Sequence, residues 1–147
     1  MYTRILVPLE CSSYDDAILA HVRELALLCQ ASVVLIHVAD GWAARNQQQL
    51  VLRESDEMKR DRIYIEARAK AFEGAGLEAE SILAGGDPAT EIASAAHREG
   101  CDLVAMSTHG HKGVQDLIRG SVANEVRHLT TIPVLMVRGT QRKPHIS

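Results

Sequence analysis

The sequence is poor in aromatic residues, which make up 3% of its 147 residues. We therefore expect a core built from aliphatic side chains. It also lacks any apolar run near the length of about 20 residues that a membrane-spanning helix needs. The opening stretch from Met1 to Leu9 is too short for a signal peptide and leads directly into a strand pattern. These absences argue against a membrane partner.

Cysteine is scarce too, with only Cys11, Cys29 and Cys101. The number is odd and no pair has Cys-x-x-Cys spacing, which favours a reducing compartment and thiols that pack as small apolar side chains. We therefore expect a cytoplasmic protein. Cys11 follows the first predicted strand, where sites often lie, so a reactive thiol is the alternative there. The seven histidines form no His-x-x-x-His or similar pair, and their spacing does not predict a metal site.

Charge is nearly balanced, with 16 Lys and Arg against 19 Asp and Glu and a formal net charge of −3. There is no basic tract, which argues against nucleic acid as the main partner. The length suits a single domain with one good core.

Apolar runs and amphipathic segments alternate along the chain. The predicted strands are Ile5–Leu9, Ser32–Val38, Leu77–Ala84, Leu103–Met106 and Pro133–Val137. Helical patterns lie between them, including Leu50 to Glu73 and a segment that Asp87 caps and Pro88 begins. The third strand is half polar, which predicts a place at an edge. The pattern predicts an α/β fold with a five-stranded parallel sheet and helices on both faces.

The stretch from Asp102 to Glu125 is the candidate site. A buried strand is followed by a polar loop with Gly110 and Gly113, and Gly120 with Ser121 then begins an apolar-periodic helix. A strand, a glycine loop and a helix start together form an arrangement that binds phosphate. A plain connection is the alternative. If the first and fourth strands are neighbours, the turns after Leu9 and after Met106 face one crevice.

Several motifs together resemble the universal stress protein family, over nearly the whole chain from Thr3 to Arg138. They are Ile5-Leu6-Val7-Pro8 followed by Glu10 and Ser12, Ile36-His37-Val38, Gly86-Asp87-Pro88, Ser107-Thr108-His109-Gly110 with Gly120-Ser121 nine residues later, and Pro133-Val134-Leu135-Met136-Val137. The resemblance implies one universal stress protein domain over residues 1–140. Residues 141–147 are polar and without a pattern, and we expect them to form a loose tail.

The resemblance also implies a fold and a function. The fold is an adenine nucleotide alpha hydrolase-like sheet in the order 3-2-1-4-5, often paired as a homodimer through the fifth strand, Pro133 to Val137. One branch of the family binds ATP with magnesium through a Gly-x-x-Gly-x9-Gly-Ser/Thr motif. This chain has Ser107 at the first glycine, and Glu10 where an Asp is usual.

Site residues follow from the same resemblance. Pro8, Leu9 and Glu10 would border the adenosine and the metal, and the backbone of Val38 would meet the adenine. The floor and the ribose–phosphate path would be lined by Met106, Ser107, His109 and Gly110. The phosphates would be held at the helix start by Gly120, Ser121, Val122 and Ala123. Core packing is the alternative for Val38 and Met106, and a surface loop position for His109.

The sequence favours a nucleotide-dependent switch in stress response over an efficient enzyme. It shows no paired general acid and base and no activated nucleophile. Histidine motifs of related nucleotidyl transferases follow the first strand, whereas His109 and His111 follow the fourth. A slow ATPase and a nucleotide-free dimeric interaction protein are the alternatives.

Overall fold

The structure is a computed structural model that describes residues 1–39, 56–109 and 114–139, with residues 109 and 114–120 described by their backbone. We number its elements in chain order. They are β1 (Arg4–Pro8), α1 (Asp15–Cys29), β2 (Ser32–Ala39), α2 (Asp56–Gly74), β3 (Ala79–Gly85), α3 (Pro88–Arg98), β4 (Leu103–His109), α4 (Val114–Leu129) and β5 (Val134–Gly139).

The five strands form one parallel sheet in the order β3-β2-β1-β4-β5, which confirms the predicted fold. β1 lies at the centre, pairing with β2 through Val7 and Leu35 and with β4 through Ile5 and Leu103. β3 is an edge strand, as its half-polar pattern predicts. Because β1 and β4 are neighbours and the strand order reverses at β1, the turns that follow them share one edge of the sheet.

Two aliphatic cores cover the two faces of the sheet. On one face, Ile5, Val7 and Leu35 pack with residues of α1 and α2 such as Ile18 and Ile65. The other face carries Leu6, Val34, Ile36, Val104 and Met106 against α3 and α4. Strand residues alternate between the faces because successive side chains point to opposite sides. This explains why the central strands are continuous apolar runs.

The helix ends follow their sequence signals only in part. Asp87 caps α3 by accepting the Thr90 N–H at 3.1 Å, and Pro88 is its first residue, as predicted. In α2, the apolar residues Ile65, Ala69 and Phe72, which recur at helical spacing, are buried, whereas Met58 is half-buried. No helix in the described ranges has the length and apolarity to cross a bilayer.

Two predicted boundaries near the candidate site are wrong. β4 continues through Ser107 to His109, because these residues pair with Val137, Arg138 and Gly139 of β5. α4 begins at Val114 and not at Gly120, so Gly120 and Ser121 lie inside it. A glycine within a helix costs only about 1 kcal/mol, so Gly120 does not fix the helix start. Trp42, Gly110, Gly113, the start predicted at Leu50 and the tail over residues 141–147 lie outside the described residues.

Candidate functional site

The carboxyl ends of β1, β2 and β4 form a crevice edge. At its centre the chain leaves β1 through Pro8 and Leu9, both buried. The Leu9 N–H donates to the Ile36 carbonyl at 2.8 Å, which continues the ladder one residue past the strand. The structure thus brings the residues predicted after β1 next to the end of β4, as the crevice hypothesis requires.

The turn after β1 is built around one buried carboxylate, Asp15. It is 1% exposed and accepts the backbone N–H groups of Glu10, Cys11 and Ser12 at 3.1, 2.9 and 3.3 Å. The Tyr64 hydroxyl of α2 donates to it at 2.8 Å. Burial raises the pKa of Asp15, although these hydrogen bonds oppose that shift. Burial first, and then the Asp15 charge, raise the pKa of Tyr64.

Asp15 therefore fixes the path of the backbone through the turn. This role was missed from the sequence, where its place in the first turn of α1 indicates only a favourable interaction with the helix dipole. Serine is a common N-cap residue, and Ser12 and Ser13 precede α1. The N-cap residue is instead Tyr14, without a side-chain cap hydrogen bond.

Glu10 lies in the turn after β1, at the same edge of the sheet. Its Oε1 accepts a hydrogen bond from the Ser12 hydroxyl, and its side chain is half-buried. Carboxylate oxygens are suitable ligands for Mg²⁺, which usually takes one or two of them together with phosphate oxygens. Glu10 would thus supply one carboxylate ligand to a magnesium ion that is also bound by phosphate oxygens.

Ser107 stands at the position of the first motif glycine and is accommodated by the strand. It pairs with Val137 in β4, so its backbone is extended and any residue can adopt it. The side chain is 8% exposed, and its hydroxyl donates to the Tyr14 carbonyl at 3.3 Å. Gly139 lies against it: a Cβ there would be 2.6 Å from the Ser107 Oγ and 2.8 Å from the Tyr14 carbonyl oxygen. The Ser107 side chain on β4 therefore leaves no room for a Cβ at residue 139 of β5.

The remaining predicted residues divide between the core and the crevice edge. Met106 and Ala123 are buried in the α3–α4 core, and Val38 and Val122 pack against that core while half-buried. The core-packing alternative is therefore correct for Val38 and Met106, and it does not exclude contact with a ligand. Ser121 is exposed.

His109 and Gly120 are described by their backbone. His109 is the last residue of β4, opposite Gly139, so it lies in a strand and not in a loop. Gly120 lies within α4. Gly110 lies outside the described residues.

The backbone of α4 sets how this helix can bind an anion. The first four N–H groups of a helix have no partner within it, and here they belong to the turn that begins at Val114. The N–H groups of Gly120 and Ser121 lie beyond that turn, where helical hydrogen bonds to residues four positions earlier use them. The phosphate contacts predicted at the helix start are therefore not open in this conformation.

The turn after β1 also brings together three side chains that the sequence does not link. Cys11, His37 of β2 and Asp61 of α2 place one ligand atom each within 4.8 Å of one another. No local spacing connects them, since each comes from a different element. The reactive-thiol alternative for Cys11 stays a hypothesis. Cys101, in contrast, is buried, and burial raises its pKa to about 11, in keeping with a packing role.

Sheet order and switch point define the class of this protein: an open, doubly wound α/β domain. Comparison with known families then identifies it further. The model of the universal stress protein family matches residues 1–138, and the chain belongs to that family.

Its relatives cover the chain almost completely. Universal stress protein YxiE of Bacillus subtilis is 30% identical over 94% of this chain and 100% of its own length. Universal stress protein MJ0577 of Methanocaldococcus jannaschii is 28% identical over 94% of this chain and 96% of its own. The solved structure of MJ0577 has a TM-score of 0.81 at 27% identity and covers 97% of this chain and 99% of that chain.

Two further structures share the fold and were solved with nucleotides. The universal stress protein of Archaeoglobus fulgidus in complex with dAMP has a TM-score of 0.66 at 20% identity, covering 92% of this chain and 97% of that one. Another universal stress protein, in complex with cAMP, has a TM-score of 0.68 at 16% identity, covering 95% of this chain and 98% of that one.

Proposed function

We propose that this universal stress protein binds ATP with magnesium in the crevice beyond β1 and β4 and acts as a nucleotide-dependent switch in stress response. The observation that carries the proposal is the arrangement of this edge: β1 and β4 are neighbours at the switch point of the sheet, and the Ser107 hydroxyl of β4 donates to the Tyr14 carbonyl in the turn that also carries Glu10. The dAMP and cAMP complexes of two proteins with this fold support an adenine nucleotide as the ligand class.

Each part of the crevice has a role in this proposal. Pro8 and Leu9 border the adenosine and the Val38 backbone meets the adenine, with Met106 below. Glu10 approaches the magnesium side. Ser107, His109 and Gly110 line the ribose–phosphate path, and the phosphates are held by Gly120, Ser121, Val122 and Ala123. A bound nucleotide would place a charged phosphate group in the crevice. As a switch, the protein would then signal whether that group is present or absent.

The phosphate contacts require α4 to change. In the helix that begins at Val114, the N–H groups of Gly120 and Ser121 are already used. We infer that the segment from Val114 to Arg119 unwinds when phosphate binds, so that Gly120 and Ser121 become the new helix start. Amide hydrogen exchange tests this step. We expect the N–H groups of Ile118 and Arg119, which bond within α4 in this structure, to lose protection on addition of ATP with magnesium. Continued protection of these two groups in the saturated protein would place the phosphates elsewhere.

Nucleotide binding is tested by acid extraction of the purified protein followed by titration of the nucleotide-free form. We expect adenine nucleotide in the extract and micromolar affinity for ATP with magnesium, a binding free energy of about −8 kcal/mol. Because Ser107 has strand backbone, Ser107→Gly should change that affinity less than about tenfold, or about 1.4 kcal/mol. A wild type that binds no nucleotide, with binding gained in Ser107→Gly, would support the nucleotide-free interaction protein instead.

Slow hydrolysis is the second part of the functional proposal. The described residues that this proposal assigns to nucleotide binding include no paired general acid and base, so we expect turnover far below the roughly 10 per second typical of enzymes. Phosphate release assays at saturating ATP measure this. A rate in the enzyme range that is lost in Glu10→Gln would show that the protein is an ATPase.

We also propose a homodimer that pairs through β5. This strand is the edge of the sheet next to β4, and Met136 on it is 46% exposed. An apolar edge strand is an aggregation hazard unless another chain or element covers it. Sedimentation at micromolar concentration should show a dimer, and Met136→Lys should weaken it. A wild type that sediments only as a monomer would contradict this proposal.

A further inference from the structure

Cys11, His37 and Asp61 form a cluster at the carboxyl edge of the sheet, each half-buried and each with a ligand atom within 4.8 Å of the other two. We propose that this cluster binds a divalent transition metal ion of the zinc class. Thiolate, imidazole and carboxylate are the ligands that such ions take in proteins, whereas magnesium and calcium prefer oxygen alone. The site would be separate from the magnesium that accompanies a nucleotide.

His37 is oriented as metal-binding histidines are. Its Nδ1 lies 2.8 Å from the Leu9 carbonyl oxygen. A carbonyl can only accept, so Nδ1 carries the proton of that hydrogen bond. Nε2, on the other side of the ring, is then left to bind either a second proton or a metal ion. A backbone carbonyl that holds one ring N–H, so that the other nitrogen faces the metal, is a common outer-shell arrangement at metal sites.

The partner of Nε2 gives the second argument. Asp61 Oδ2 lies 3.3 Å from it, and the two side chains are 14% and 17% exposed. A bare nitrogen and a carboxylate oxygen repel each other, so the pair needs a positive centre: a second ring proton or a metal ion. Two ligands of a tetrahedral zinc ion, each with a bond of about 2.0–2.1 Å, lie about 3.3 Å apart. The separation therefore fits a shared metal.

The third ligand, Cys11, is held in place by an unusual backbone. Its φ is 65°, in the left-handed region that residues other than glycine seldom adopt. Its N–H donates to Asp15 at 2.9 Å, and Asp15 accepts the Tyr64 hydroxyl of α2. Tyr64 and Asp61 lie three residues apart on α2 and therefore share one face. One buried carboxylate thus ties the turn that carries Cys11 to the helix that carries Asp61.

The cluster also lies on the opposite side of the sheet from the α3–α4 core. Leu35 packs on the α1–α2 face, and His37, two residues along β2, points to that same face. Val38 packs against the α3–α4 core.

Metal binding would release the Cys11 thiol proton to solvent and leave a fourth coordination position for water.

The experiment uses the full chain, stripped with a chelator, with Zn²⁺ and Co²⁺ as probes. We expect one Zn²⁺ per chain by competition with a chromophoric chelator, and a cobalt spectrum with a thiolate-to-metal charge-transfer band. Cys11→Ser should abolish that band. Cys11→Ser and His37→Gln should each weaken zinc binding by at least about 100-fold, the upper end of what loss of an outer-shell partner costs.

Cys29→Ser is the matched control, because Cys29 is also half-buried but ends α1 at the opposite edge of the sheet. It should leave the affinity and the cobalt spectrum unchanged. A measurement on the wild type covers the case in which a variant does not fold: zinc should protect Cys11, and not Cys29, from alkylation, as read by mass spectrometry. Three results would each overturn the proposal: no saturable zinc binding, an equal loss of zinc affinity in both cysteine variants, or no protection of Cys11 from alkylation. His37 and Asp61 would then remain an ion pair.

Discussion

The substitution Asp15→Ala should be among the most destabilising single changes in the chain. It removes the acceptor of three backbone N–H groups and of the Tyr64 hydroxyl. A buried donor left without an acceptor costs about 1–3 kcal/mol. Glu10, Cys11 and Ser12 are half-buried, so water can replace part of the hydrogen bonding that their N–H groups lose. The substitution also removes a carboxylate that is unfavourable to bury, and this offsets a further part of the lost stability. We therefore expect a loss of about 3 kcal/mol in the free energy of unfolding.

Urea denaturation in zinc-free buffer measures this loss, with a double-mutant cycle to locate it. Tyr64→Phe alone should cost about 1.5 kcal/mol, the lower range for a hydrogen bond to a charged group. The two changes together should cost less than their sum, because they share one hydrogen bond. Asp16→Ala, also in the first turn of α1, controls for the helix dipole and should cost under about 1 kcal/mol. A cost below about 1 kcal/mol for Asp15→Ala would refute the role given to this carboxylate.

Three further predictions concern other parts of the fold. Asp87→Ala should cost about 1 kcal/mol in thermal or urea unfolding because α3 loses its cap, and Asp87→Asn, which keeps an acceptor, should cost less. Although burial raises the pKa of Asp102, hydrogen bonds from the N–H groups of Arg4 and Thr3 and the Thr3 hydroxyl together hold it below its usual value. Its stabilising contribution is therefore present above about pH 4 and lost as pH falls further, and Asp102→Asn should flatten the acid limb of the stability profile. Gly139→Ala should destabilise by about 1–3 kcal/mol through overpacking against Ser107, and Ser107→Gly in the same chain should recover part of that loss, whereas no recovery would place the conflict at the Tyr14 carbonyl alone.

The sheet was predictable because its signals are local and redundant. Continuous apolar runs mark β1, β2 and β4, and the half-polar third strand marks an edge. Asp87 and Pro88 begin α3 as their residue types indicate. The strand order itself was an implication of the family resemblance, which the structure confirms.

Most of the features that the sequence did not predict depend on contacts between residues that are distant in the sequence. β4 extends to His109 because β5 offers Val137 to Gly139 as pairing partners, which the polar sequence after Met106 does not reveal. The start of α4 was misplaced because Gly120 looks like a helix boundary, although a glycine is tolerated inside a helix. The Asp15 hydrogen bonds and the cluster of Cys11, His37 and Asp61 join separate elements, so only the folded chain shows them.

Calorimetric titration with ATP and magnesium tests the central proposal most directly, with wild type, Gly120→Val, Ser121→Ala and a control in one buffer. Gly74→Val is the control, because a Cβ at that glycine, which ends α2, meets no atom within 4 Å. We expect ATP to bind the wild type and the control with micromolar affinity and not to bind Gly120→Val detectably. Ser121→Ala should lose less affinity, because it removes only one hydroxyl. Loss of two phosphate hydrogen bonds of about 1.5–3 kcal/mol each would remove most of the usable affinity. Equal affinity in Gly120→Val and wild type would contradict a phosphate site at this glycine, and no heat of binding with the wild type would contradict nucleotide binding altogether.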